Sequence, residues 1–327
     1  MKSVIGMGNA LTDILINLKN DEILDTFKLP RGSMNLVDSE LQRQIDASVA
    51  DAPHTLSLGG SASNTIRALA RMGASTGYIG KVGRDETGDF FERTLNELQI
   101  APTVFRGDEP SGRCVSLVSP DGERTMCTYL GAALEMRHTE LTPEIFDGYE
   151  YFYIEGYLVQ DHELISNAVR IAKERGLQVA LDLASFNIVE ENLGFLHDLV
   201  DRHVDILFAN EQEAAAFTGE KNPLEALDKI ARKCSIAVVK VGTRGAYVKY
   251  RGRVDHIGIM GNARRVDFYA AGFLFGLCRG LSMEQCGTIG SIAAGKVIEV
   301  VGTTFDEKVW EEIRRMVGDV ETGNYIL

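Results

Sequence analysis

Proline, cysteine and tryptophan are scarce in this chain, with seven, five and one among 327 residues. With so little proline, and with no repeat or low-complexity tract, nothing marks a linker, and one domain over residues 1–327 is expected. Cys114, Cys127, Cys234, Cys278 and Cys286 are odd in number and form no Cys-x-x-Cys pair, which argues for reduced thiols. Cys278 and Cys286 lie in helix-like apolar sequence, where a reduced thiol packs as a small apolar group. His54, His138, His162, His197, His203 and His256 are scattered without ligand spacing. No apolar run reaches about 18 residues, so no membrane span is expected. Met1-Lys2-Ser3 leads into a short strand-like run and not into a signal-peptide core. Basic runs are missing too. With 34 Lys and Arg against 47 Asp and Glu, the net charge is -13, which repels a nucleic-acid backbone. The expectation is a reduced, cytoplasmic protein that binds neither nucleic acid nor membrane.

What is present has globular proportions, 45% hydrophobic and 25% charged. Short β-branched runs predict strands at 3–6, 114–119, 151–154, 178–182, 205–209 and 236–241. Helical periodicity predicts helices at 162–175, 190–202, 211–217 and 223–234. In the last of these, Leu227, Ile230 and Ala231 share a face, and Asn222-Pro223 supplies a cap followed by a first-turn proline. Strand and helix alternating through 178–241 imply a mostly parallel sheet covered on both faces. Two segments, 14–36 and 100–130, break this rhythm with alternating, turn-rich sequence. Ser119-Pro120-Asp121-Gly122-Glu123 reads as a hairpin turn. These pieces are expected to form a small β-sheet lid inserted discontinuously into the main domain.

Two glycine patterns fail on inspection. Gly6-Met7-Gly8-Asn9-Ala10-Leu11 has Leu11 at the third glycine, and strand-like sequence follows where a dinucleotide site needs a helix N-terminus. Gly290 to Val297 spells GxxxxGK but offers Val297 in place of the Mg²⁺-binding Ser or Thr, inside a helical pattern. Other clusters stand. Gly59-Gly60-Ser61-Ala62-Ser63-Asn64 opens a helical pattern, with paired glycines that let a ligand approach the backbone and serines that can cap the helix. Gly80 to Asp89 suits a loop entering a helix. Asn210-Glu211-Gln212-Glu213 and Lys240-Val241-Gly242-Thr243-Arg244-Gly245 follow predicted strands, at the carboxyl ends where open α/β sheets bind ligands. Asn210 with Glu213 suits either a helix cap or hydrated Mg²⁺ beside phosphates.

In this order the clusters resemble the ribokinase-like (PfkB) carbohydrate kinase family across nearly the whole chain. Gly59 to Asn64, running on to Gly73 and Gly83, is similar to its first signature. Asn210 to Glu213 is similar to its N-x-x-E motif, and Lys240 to Ala246 to its nucleotide-binding strand and loop. Gly8-Asn9-Ala10-Leu11-Thr12-Asp13, Arg31-Gly32-Ser33-Met34 and Gly122-Glu123-Arg124-Thr125-Met126 resemble the adenosine-kinase-like branch. The resemblance implies a three-layer α/β/α ribokinase-like fold with a mostly parallel central sheet and a small β-sheet lid. It also implies an ATP- and Mg²⁺-dependent kinase that phosphorylates a primary hydroxyl of a ribosyl nucleoside or sugar, as a monomer or a lid-mediated homodimer. By the same resemblance, Asp13 and Asn64 hold ribose hydroxyls with Asn9, Gly59 and Gly60 beside them. Arg124 either holds the transferring phosphate or closes a lid salt bridge. Asn210 and Glu213 organise Mg²⁺ through water, Lys240, Gly242, Thr243 and Gly245 line the ATP side, and Asp267 is the general base.

One departure matters. The family's second signature has the form D-T-x-G-A-G-D, whose glycine amides at a helix N-terminus stabilise the transferring phosphoryl charge. Here Arg265-Val266-Asp267 runs directly into Phe268-Tyr269-Ala270-Ala271-Gly272. Asp267 matches either the first or the last acid of the signature, and the residues between are absent. Losing such amides costs about 10²–10³ in rate per donor. Their absence leaves as one alternative a catalytically silent ligand-binding member of the fold; the other is a ribokinase- or ketogluconate-type sugar kinase, since those branches share the same hydroxyl recognition.

Overall fold

Residues 3–259, 267–296 and 307–325 are described in the computed structural model. Their strands, in chain order, are β1 (Ser3–Met7), β2 (Leu11–Asn17), β3 (Met34–Leu36), β4 (His54–Gly59), β5 (Ser75–Val82), β6 (Ile100–Arg106) and β7 (Gly112–Val118). There follow β8 (Arg124–Tyr129), β9 (Tyr151–Glu155), β10 (Gln178–Asp182), β11 (Ile206–Asn210), β12 (Ile236–Lys240), β13 (Ala246–Tyr250) and β14 (Arg253–Ile257). The large sheet has the order β14-β13-β12-β11-β10-β9-β1-β5-β6. It is parallel from β12 to β6, and β13 and β14 join by antiparallel pairing.

Both faces of this sheet are buried, which is why its central strands read as near-continuous apolar runs. Val4, Tyr153, Phe208 and Val238 pack under helices Ser61–Arg71, Asp267–Cys278, Met283–Lys296 and Glu307–Glu321. Ile5, Phe152, Leu207 and Val239 pack under helices His162–Glu174, Leu193–His203 and Pro223–Ile230 on the opposite face. Phe208 meets Phe273 edge to face at 5.5 Å, so sheet and helix interlock through rigid rings. The three-layer arrangement expected from sequence is the one observed. Among the described residues no helix is long and apolar enough to cross a membrane.

The second sheet has the order β3-β8-β7-β2-β4. One face packs Ile16, Val115, Leu117 and Cys127 against Leu24, Leu29 and Ile45 of two short helical segments and their loop. The other face carries two in-register rows. Leu36, Thr128, Cys114, Asp13 and Ser57 form the first, and Met34, Met126, Ser116, Leu15 and Thr55 the second. The Ser119–Glu123 turn joins β7 to β8 as expected, closed by Ser119 N–H donating to Glu123 O at 2.8 Å.

Several expected boundaries move. β6, placed at the start of the 100–130 lid segment, belongs to the large sheet, where it pairs in parallel with β5. It is an edge strand, the place in a sheet where a proline such as Pro102 is tolerated. β4, outside both lid segments, completes the small sheet. The helix expected over 190–202 is two, Phe186–Glu191 and Leu193–His203, broken where Asn192 turns its amide back onto Ile188 O. The helix from Pro223 ends at Ile230, where Lys233 N–H and Cys234 N–H both bond to Ile230 O and tighten the last turn.

Candidate active site

β4 ends at Gly59, and Gly60 turns the chain into helix Ser61–Arg71. A Cβ on Gly60, at φ +87°, would stand 2.2 Å from Asn9 O, and one on Gly59 would stand 2.0 Å from Asp13 Oδ1. Gly60 is required by its close approach to the backbone of Asn9, whereas at Gly59 a Cβ would displace the carboxylate of Asp13. Asn64 lies one turn into the helix, its Oδ1 accepting from Arg67 Nη1 at 3.3 Å. Burial pulls the Arg67 guanidinium down to about 10, with nearby Asp13 opposing and Arg71 reinforcing that shift. Asn9, Asp13, Gly59, Gly60 and Asn64 are thus brought together where the two sheets meet.

Glu155, the last residue of β9, organises this corner. It is 1% exposed, and its Oε1 accepts from Asn9 N–H at 2.7 Å and from Asn9 Nδ2 at 2.9 Å. Its Oε2 accepts from Ala62 N–H at 2.8 Å, in the first turn of the helix. A carboxylate there satisfies an orphan helix donor and complements the helix dipole. With its amide nitrogen committed to Glu155, Asn9 keeps Oδ1 as a buried acceptor with no protein partner among the described residues.

Farther along the same sheet edge, Asn210 caps helix Glu211–Thr218 in a reciprocal box. Its Oδ1 accepts from Glu213 N–H at 2.9 Å, while its own N–H and Nδ2 donate to Glu213 Oε2 and Oε1 at 2.7 and 2.6 Å. Glu213 is 2% exposed. Among the described residues no group of three acids, histidines or cysteines could cage a metal ion. Glu213 is a carboxylate at the sheet edge, the ligand type that hard cations take. This donor set fits Mg²⁺ held chiefly by its own waters and by phosphate oxygens, as that ion prefers.

Lys240, the last residue of β12, donates to Asp182 Oδ2 at 3.0 Å. Gly242–Arg244 forms a 3-10 turn closed by Val241 N–H to Gly245 O at 2.7 Å, and it leaves Thr243 exposed. Arg124 opens β8, half-buried, on the Asp13 face of the small sheet and laterally paired with Val118. Asp267 opens helix Asp267–Cys278, and its side chain lies outside the described residues.

Sequence reasoning passed over Glu155 and Asp182. A signal was available: each is the acidic last residue of an apolar strand, at the carboxyl edge where such sheets bind ligands. Their Cα atoms are register partners on β9 and β10. From this pair the edge divides. Glu155 reaches towards Asn9 and the Gly59–Gly60 turn, and Asp182 towards Lys240. One half presents acceptors suited to hydroxyls, the other a cation suited to phosphates.

Comparison with known proteins places these features in a family. The profile described as pfkB family carbohydrate kinase matches residues 38–310. The chain is 27% identical over 245 residues to an uncharacterized sugar kinase of Archaeoglobus fulgidus, covering 72% of this chain and 95% of that protein. The crystal structure of a probable sugar kinase from Rhizobium etli superposes with a TM-score of 0.83 at 30% identity, covering 99% of both chains. That of adenosine kinase from Sinorhizobium meliloti gives 0.83 at 30% identity, covering 96% of this chain and 99% of the other.

Proposed function

Because the chain belongs to the pfkB family of carbohydrate kinases, phosphotransferases with an alcohol as acceptor, we propose that it transfers the γ-phosphoryl group of ATP to the primary hydroxyl of a ribosyl nucleoside. The observation that carries the nucleoside reading is the small-sheet face around Asp13. Asp13 can accept from two vicinal hydroxyls at once. Leu15, Met126, Met34 and Leu36 share its face, the last two 46% and 65% exposed. An apolar surface beside a hydroxyl-binding carboxylate matches a ribose carrying a planar base better than a free sugar, which is polar all round. The similarity to the Sinorhizobium adenosine kinase supports the same reading.

In this site Asn9 Oδ1, Asp13 and Asn64 orient the ribose, and Asp267 is the candidate base for its primary hydroxyl. Lys240, Gly242, Thr243 and Gly245 face the nucleotide, and Glu213 holds a water of the Mg²⁺ shell, which supplies charge neutralisation on the phosphates. Closure of the small sheet excludes water, which would otherwise compete for the phosphoryl group. Arg124 lies on the same face and is the candidate to follow the phosphate inward.

A second reading rests on Asp267 being followed directly by Phe268. Without the Gly-Ala-Gly amides, the chain would bind both ligands and turn over slowly or not at all. Calorimetry with Mg-ATP and adenosine, beside a coupled ADP-release assay, separates the readings. Turnover with adenosine exceeding that with ribose or a ketogluconate supports the nucleoside kinase. Binding without turnover supports the silent member, and no nucleotide binding removes both.

A further inference from the structure

The buried pair between Asp182 and Lys240 bridges three strands. Asp182 ends β10 and Lys240 ends β12, with β11 between them, a span of two inter-strand spacings, or about 9–10 Å. The residues are 2% and 8% exposed, and Lys240 is the Cα register partner of Asn210. Asp182 is itself fixed. Its Oδ1 accepts from Ala184 N–H at 3.1 Å, and Ala184 sits at φ +62°, a conformation that a non-glycine residue keeps only when its surroundings enforce it.

Among the described residues Lys240 spends one of its donors. An ammonium has three N–H groups, and among the described residues this one makes a single hydrogen bond, to Asp182 Oδ2. Buried donors are ordinarily satisfied, and a buried ion pair by itself contributes little net stability. A cation held at a ligand-binding sheet edge with donor capacity left over is matched to a strong anionic acceptor. Resting on the kinase reading above, we propose that Asp182 is a positioning residue for the nucleotide. It holds the Lys240 ammonium so that its uncommitted N–H groups meet phosphate oxygens of bound ATP. The Glu155 half of the edge does not take part.

The test is calorimetric titration of the wild type, Asp182→Asn and Lys240→Met with a non-hydrolysable ATP analogue plus Mg²⁺, and separately with adenosine. Both variants are expected to bind the analogue about tenfold or more weakly, as loss of a charge-assisted hydrogen bond implies, and to bind adenosine within twofold of the wild type. Asp182→Glu, which keeps the charge, should recover part of the affinity. Variants with wild-type melting temperature and undiminished analogue affinity overturn the proposal and leave the pair purely structural. Should neither variant fold, the NMR signal of the Lys240 ammonium in the wild type decides. A shift on adding the analogue but not adenosine supports the role, and an unmoved signal overturns it. A wild type that binds no analogue overturns the kinase reading itself, an outcome distinct from wild-type binding that the variants leave unchanged.

Discussion

Glu155 Oε1 accepts two hydrogen bonds from one residue, the backbone N–H of Asn9 at 2.7 Å and its side-chain amide at 2.9 Å, across 146 positions of sequence. This double contact fixes both the path of the chain between the two sheets and the orientation of the Asn9 carboxamide. Glu155→Gln presents an NH₂ where one of the two acceptor oxygens stood, leaving either Asn9 or Ala62 unpaired. A loss of about 1–3 kcal/mol in urea denaturation is expected. Calorimetry should show weaker acceptor binding with nucleotide binding retained.

Gly59→Ala is expected to act on the substrate and not on the nucleotide. The new Cβ would occupy the place of Asp13 Oδ1, a side chain able to rotate away, so the protein should fold. The acceptor KM should rise about tenfold or more, as when a charged hydrogen bond is lost, while the KM for ATP stays unchanged. Equal effects on both substrates would argue against Asp13 as the hydroxyl acceptor.

Leu36→Asp probes the base-binding face. Leu36 is 65% exposed, so its replacement should alter stability by no more than about 0.5 kcal/mol. If the base lies on this face, adenosine KM should rise severalfold and any residual turnover of ribose should not change. An unchanged adenosine KM would remove β3 from the substrate surface.

Asp85 predicts an acid-sensitive hinge. It caps helix Glu86–Glu97 and accepts from Ser111 N–H, where the chain passes from β6 of the large sheet to β7 of the small one. Burial alone would raise its pKa, but hydrogen bonds from the Ser111 hydroxyl, Ser111 N–H and Gly88 N–H outweigh burial and hold it below the usual carboxylate value. A depressed carboxylate contributes stability above its unfolded pKa, about 4, and loses it as pH falls through the lower folded value. Urea denaturation from pH 6 to pH 3 should show this loss in the wild type and a flatter profile in Asp85→Asn.

Local pattern reached the elements whose character is decided locally. The strand at Gln178–Asp182 and the Asn222-Pro223 helix start were read within their own segments, because strand periodicity and capping depend only on near neighbours. Asn210 and Glu213 were likewise readable, since a cap and its N3 residue lie three positions apart. Ile100–Arg106 was misplaced because nothing within a strand states which sheet it joins. That depends on helix Glu86–Glu97 returning it beside β5.

The alternation of strand and helix, the glycine turn before Asn64, the cap at Asn210 and the run of Asp267 into Phe268 are legible in the residue order alone. Each is a property of contiguous residues. That Asn9 answers to Glu155 and Lys240 to Asp182, across 146 and 58 positions, follows from the fold and not from any local pattern. Sheet register places strand ends side by side whatever their separation along the chain. The charges along the carboxyl edge of the large sheet are therefore set by strand order, which no local window of sequence contains.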